Sequence, residues 1–159
     1  MRVWLAFGVA ALLTACASTS RLPQTGSADV HEWQGRLSVS IQTAPPSQMS
    51  ASFSLRGHAQ QGSLDLFSPL GTTLAALNWT AHAAHMQQGN QQQRFDSLAA
   101  LTEQATGAAL PVTALFDWLQ GSPTSAPGWQ VDLSALPQGA LIARRYDPAP
   151  EVTLRIKLD

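Results

Sequence analysis

The chain has 159 residues, enough for one domain with a sizeable core. Hydrophobic residues make up 45% of it and charged residues only 12%, about half the usual share, so its polarity rests on Gln, Ser and Thr. The net charge of −1 without any basic block argues against nucleic acid as a partner, and a single cysteine excludes an internal disulfide and a Cys-rich metal site.

The first residues read as a secretory signal. One positive charge, Arg2, precedes an apolar stretch from Val3 to Leu13, and small residues follow. About 11 apolar residues fall short of the roughly 20 that cross a bilayer. The stretch ends in Leu13-Thr14-Ala15-Cys16. That ending resembles the bacterial lipoprotein signal. It implies that residues 1–15 are cleaved away and that the Cys16 thiol carries lipid. The residue after the cysteine is Ala17 and not the Asp of an inner-membrane start. The resemblance therefore implies an outer-membrane, periplasm-facing protein. Residues 16–30, rich in Ser, Thr, Gly and Pro, are expected to form a flexible tether.

From Trp33 the pattern alternates with a period of two. Trp33, Gly35, Leu37, Val39 and Ile41 interleave with polar residues, as in a half-buried strand. Pro45 and Pro46 break it. Met49, Ala51, Phe53 and Leu55 then alternate with Ser50, Ser52, Ser54 and Arg56 in a second strand. A turn through Gly57 and Gly62 leads to a third, from Ser63 to Phe67. After Ser68-Pro69-Leu70-Gly71 a fourth runs from Thr72 to Thr80, with Leu74 and Ala76 on one face and Leu77 and Trp79 on the other. A weaker pair, Ala83 to Gln88 and Gln91 to Phe95, joins at Gly89-Asn90. Loops this short cannot carry parallel crossovers, so an antiparallel meander is expected.

The middle of the chain is helical. Asp96 is placed to cap a helix through Leu98, Leu101 and Ala105 that stops at Gly107. Pro111 is placed to open a second, with Val112, Leu115, Phe116 and Leu119 on one stripe and Gly121 at its end. Strands resume at Trp129 to Leu133, Leu141 to Tyr146 and Val152 to Leu158. The predicted fold class is α+β: one antiparallel sheet with helices on one face, forming a single domain over residues 31–159.

Catalytic patterns are missing. There is no Gly-x-Ser-x-Gly elbow, phosphate loop or zinc-binding His-Glu-x-x-His. His82 and His85 are three apart in a weak strand and point to opposite faces, a poor zinc pair. Asp65, Asp96, Glu103, Asp117 and Asp132 are scattered. The expectation is a non-enzyme without cofactors or metal. The apolar residues are compatible with a solid core or with a greasy pocket between sheet and helices.

The resemblance becomes specific further along the chain. Ser68-Pro69-Leu70-Gly71-Thr72 lies between two strands, followed by Gly107-Ala108-Ala109-Leu110-Pro111-Val112 and Trp118-Leu119-Gln120-Gly121-Ser122-Pro123. Their order and spacing resemble the LolB family, the outer-membrane lipoprotein receptors of the lipoprotein sorting pathway. Trp33-Gln34-Gly35-Arg36-Leu37 and Leu154-Arg155-Ile156-Lys157-Leu158 fit it as well. Longer members carry more residues after Trp129, which bears on the strand count at that edge.

The resemblance implies an incomplete barrel, hydrophobic inside, with a helical lid over the cavity. It implies that a monomer accepts lipoproteins from a soluble, LolA-like periplasmic carrier and inserts them into outer-membrane lipid, with no cofactor. Its cavity would be lined by Leu37, Val39, Met49, Phe53, Leu55, Leu64, Leu66, Leu74, Leu115, Phe116, Leu119 and Ile156. Pro69, Leu70 and Gly71 would form a membrane-insertion loop. Pro69 stiffens the turn and Gly71 lets the chain reverse; the turn alone leaves open whether Leu70 points outward or folds back, and the resemblance implies outward. The other reading is a structural outer-membrane lipoprotein that binds a protein partner without lipid cargo.

Overall fold

A computed structural model describes residues 30–159. The expected signal segment of residues 1–15, Cys16 and the tether up to residue 29 lie outside the described residues. Nine strands form one antiparallel sheet: β1 (His31–Ile41), β2 (Ser47–His58), β3 (Gln61–Phe67), β4 (Thr73–Thr80), β5 (Ala83–Gln88), β6 (Gln91–Phe95), β7 (Trp129–Asp132), β8 (Ala140–Arg145) and β9 (Val152–Leu158). Their order is β6-β5-β4-β3-β2-β1-β9-β8-β7. Two meanders, β1 to β6 and β7 to β9, are therefore sewn together by β1 and β9, from Gly35 opposite Leu158 to Ile41 opposite Val152.

The alternation in sequence decides which face is inside. Leu37, Val39 and Ile41 of β1 are buried, as are Ala51, Phe53 and Leu55 of β2 and Val152, Leu154 and Ile156 of β9. A one-residue slip would turn each of these sets into water, so register is strongly fixed. On the outer face, Arg56 pairs with Glu32 at 2.9 Å. Hydrogen bonds from Gln34 and then Arg56, with the Arg56 charge, hold the Glu32 carboxyl below its ordinary range.

At β4 the structure corrects the reading. Ala75, Leu77 and Trp79 face the core, and Leu74 lies on the outer face, 43% exposed. Both faces of this strand are apolar, so alternation alone did not choose between them. The larger pair, Leu77 and Trp79, is buried, because it removes more apolar surface from water. The Trp79 ring lies where a Cβ on Gly62 would sit, and its Nε1 donates to Ala59 O at 3.2 Å.

Between β6 at one edge and β7 at the other, the chain forms α1 (Leu98–Thr106) and α2 (Val112–Leu119). The N-cap of α1 is Ser97, whose side chain accepts from Ala100 N, and not Asp96 as expected. Both residue types cap well; the helix begins one residue later than the sequence suggested. Pro111 does precede the first turn of α2, and Gln120 closes that helix, one residue before Gly121.

Thr102 is fully buried and ties α1 to the segment that leads into α2. Its hydroxyl donates to Ala99 O at 3.0 Å and accepts from Leu110 N at 2.9 Å. Thr102→Val keeps the shape but leaves the Leu110 N–H unpaired. A loss of about 1–3 kcal/mol is expected in urea unfolding; a loss below 0.5 kcal/mol, on the order of a neutral surface change, would mean that the α1–α2 junction rearranges freely.

Candidate functional site

The concave face of the sheet is filled from above by α2. Val112, Ala114, Leu115, Phe116, Trp118 and Leu119 of this helix are all buried. Phe116 packs edge-on against Trp33 of β1 at 5.6 Å and Trp79 of β4 at 6.2 Å between centroids. Such aromatic pairs add about 0.5–1.5 kcal/mol each beyond burial. Trp118 donates from Nε1 to Thr124 O at 2.8 Å, and its ring lies 6.5 Å from that of Trp129. α1 packs beside it against β4, β5 and β6.

Most of the apolar residues picked from the sequence meet here. Leu37, Val39, Phe53, Leu55, Leu64, Leu66, Leu115, Phe116, Leu119 and Ile156 are all buried in one contiguous cluster. Met49 is half-buried against its margin. Leu74 does not join them. Sequence reasoning passed over Trp33, Ala75, Leu77, Trp79 and Met86, which share the interior. The signal for Leu77 and Trp79 was present in their bulk, and for Trp33 in its phase with Leu37 and Val39.

The loop from Ser68 to Thr72 stands apart from this interior. Ser68 organises it: its N–H donates to Thr72 O at 2.8 Å, and its carbonyl accepts from Gly71 N at 2.9 Å. Its hydroxyl accepts from the N–H groups of Leu70 and Thr72, each at 3.2 Å. Gly71 has φ +81°, a conformation that side chains disfavour. The turn thus spends its N–H groups on itself and leaves Leu70 94% exposed. Pro69 and Gly71 beside it are exposed too.

Strand directions place this loop. β3 runs away from the β2–β3 turn, so residues 68–72 emerge at the same end of the sheet as the β1–β2 loop and the β8–β9 loop. The chain enters β1 at His31, at the opposite end.

Among the described residues, no three His, Cys, Asp or Glu side chains gather in a way that would hold a metal ion. Asp132, whose carboxyl is held low by hydrogen bonds from the Ser134 side chain and N–H, is exposed on the β7 edge, away from the apolar interior.

A curved, unclosed sheet wrapped on apolar side chains, with a bare leucine carried on a tight polar turn, defines a protein built around apolar contact. A family model described as outer membrane lipoprotein LolB matches residues 31–148. Among similar curated proteins, each named outer-membrane lipoprotein LolB, that of Bordetella petrii is 29% identical over 98% of this chain and 91% of its own length. That of Cupriavidus necator is 33% identical over 95% of this chain and 84% of its own. That of Ralstonia nicotianae is 36% identical, over 76% of this chain but only 62% of its own. The chain belongs to the LolB family of outer-membrane lipoproteins. The family is non-enzymatic and serves lipoprotein localisation, and the protein is accordingly an outer-membrane lipoprotein.

Proposed function

We propose that this protein takes the acyl chains of lipoproteins from a soluble, LolA-like periplasmic carrier, holds them between the inner face of the sheet and the helices, and releases them into the outer membrane. The lipid on Cys16 holds the domain, residues 31–159, beside that membrane through the tether of residues 16–30. Leu70, flanked by Pro69 and Gly71, enters the lipid surface. The observation that carries this reading is the exposure of Leu70: this large apolar residue is 94% exposed on a turn whose N–H groups are already paired.

The energetics give the device a purpose. A triacylated cysteine carries on the order of 45 methylenes, at about 0.8 kcal/mol each. Crossing water bare would cost tens of kcal/mol, and an apolar host removes most of that cost. The residues offered as this host are Leu37, Val39, Met49, Phe53, Leu55, Leu64, Leu66, Leu115, Phe116, Leu119 and Ile156. Leu70 contributes about 1.5–3 kcal/mol on entering lipid. That is too little to anchor a protein and enough to bias local insertion.

Leu70→Glu tests the reading. The side chain touches no core, so thermal unfolding should move by less than about 0.5 kcal/mol. Transfer of a purified lipoprotein from its carrier into vesicles should fall by roughly ten-fold or more, since a buried carboxylate reverses the leucine's contribution. Normal transfer by a folded Leu70→Glu protein would sink the insertion mechanism.

A further inference from the structure

We infer that Leu70 does not meet the bilayer alone: Tyr146, on the β8–β9 loop, is a second membrane contact on the same rim, which carries few charges. This rests on the reading of Leu70 as a lipid-facing residue.

Four large hydrophobic residues are exposed among those described: Val30, Leu70, Leu74 and Tyr146. Val30 precedes β1 at one end of the sheet. The other three lie at the opposite end, two of them on loops, with Tyr146 52% exposed. The pairing register shows that the two loops share a level. The end of β8, Arg145, is aligned through Val152 and Ile41 with Ser47 of β2, whereas the end of β3, Phe67, is opposite Ser52. That is five residues of stagger over the four strand steps from β8 to β3. With a rise of about 3.4 Å per residue and about 4.8 Å between strands, the line of strand ends slants by roughly 40°. A curved sheet closing toward a barrel tilts its strands by about 35–45° to its axis. The staggered ends therefore form a level rim.

The chemistry of that rim suits neutral lipid. The loops at residues 42–46 and 68–72, and the β5–β6 turn at 89–90 with the strand ends beside it (87–88 and 91–92), contain no Asp, Glu, Lys or Arg. They offer Gln, Thr, Ser, Asn, Pro45, Pro46 and Pro69. The β8–β9 loop adds Tyr146, with Asp147 exposed beside it and Glu151 half-buried, its carbonyl accepting from Gln42 N at 2.9 Å. Tyrosine has an apolar ring and a hydroxyl that stays wet, which is why it gathers at membrane interfaces. The rim's loops carry only acidic charges, and the one arginine at the end of β8, Arg145, is half-buried with its guanidinium over the Trp129 ring, so the rim presents no basic patch to anionic headgroups. The occupant is the surface of a zwitterionic phospholipid bilayer.

The test uses the mature lipidated protein in phosphatidylcholine vesicles. With Cys16 acylated, Leu70→Cys, Tyr146→Cys and Val30→Cys each supply one free thiol for an environment-sensitive fluorophore. Labels at 70 and 146 should shift to the blue and lose most of their emission to bromine-bearing lipids, with no change in high salt. The label at 30 should do neither. A label buried at 70 and wet at 146 overturns the shared rim and leaves the Leu70 reading intact. Labels wet at both positions overturn both. Burial at 146 that disappears in salt overturns the neutral-lipid assignment.

Discussion

Trp118→Ala is expected to be among the most damaging single changes in this protein, costing about 3–5 kcal/mol. The side chain is fully buried, and it is the largest of those with almost no exposed surface. Its removal empties a space between α2 and the loop after it, and it orphans the Thr124 carbonyl that accepts its indole N–H at 2.8 Å. It also takes away the neighbour of Trp129, whose ring the Arg145 guanidinium covers at 5.9 Å from the centroid. Chemical denaturation should show a lower midpoint with little change in slope. Trp118→Phe should recover part of the loss, since it restores volume without the hydrogen bond. Equal stability of the alanine variant and the parent would mean that α2 is only loosely seated on the sheet.

Gly35→Ala should rank beside it, at about 2–5 kcal/mol from overpacking and backbone strain together. A Cβ at this position would lie 2.1 Å from Lys157 O, an atom of the backbone of β9 that no rotamer change can move aside. Gly35 also opens the run of pairs by which the two meanders join. The damage should therefore be local in origin and global in effect. Amide exchange should quicken first in β9 and the neighbouring part of β1. Undiminished protection at Leu154 and Ile156 in the alanine variant would contradict this account.

These two positions also show how far the sequence could be read. β1, β2 and β9 alternate cleanly because one face of each is buried and the other wet, so their limits and their inward residues were legible. β4 was not, since Leu74, Ala76, Leu77 and Trp79 leave it apolar on both faces. Ser97 and Asp96 are both good caps, and neighbouring caps differ by a single residue of helix. The union of β1 with β9 had no local signal at all: Ile41 and Val152 are far apart in the chain, and only the folded sheet brings them together. Gly35 looked like one more member of an alternating strand until that partner was in place. For the site, the turn chemistry of Ser68, Pro69 and Gly71 and the family resemblance together pointed at Leu70. The sequence pattern carries its strand from Leu141 through Tyr146, whereas β8 ends at Arg145, and the place of Tyr146 on the rim depends on a stagger accumulated over several strands. Which apolar residues would host a guest chain is not written in periodicity, because a lining residue and a packing residue obey the same alternation.

The entry of the chain at His31, at the end of the sheet remote from Leu70, sets a minimum length for the leash. Measured along the strands, His31 is level with Gly62, and Phe67 lies five residues beyond it. At about 3.4 Å per residue, plus the reach of the loop, roughly 25 Å separate the point of attachment from the tip of Leu70. With the lipid on Cys16 as proposed, the anchor and the leucine can occupy one bilayer only if the leader doubles back along the flank of the domain. The fifteen steps from Cys16 to His31 span at most about 50 Å. Such a return would take half of that reach. A leader of about seven residues would hold the domain to the membrane with the wrong end down, so the number of residues in this stretch matters more than their identity.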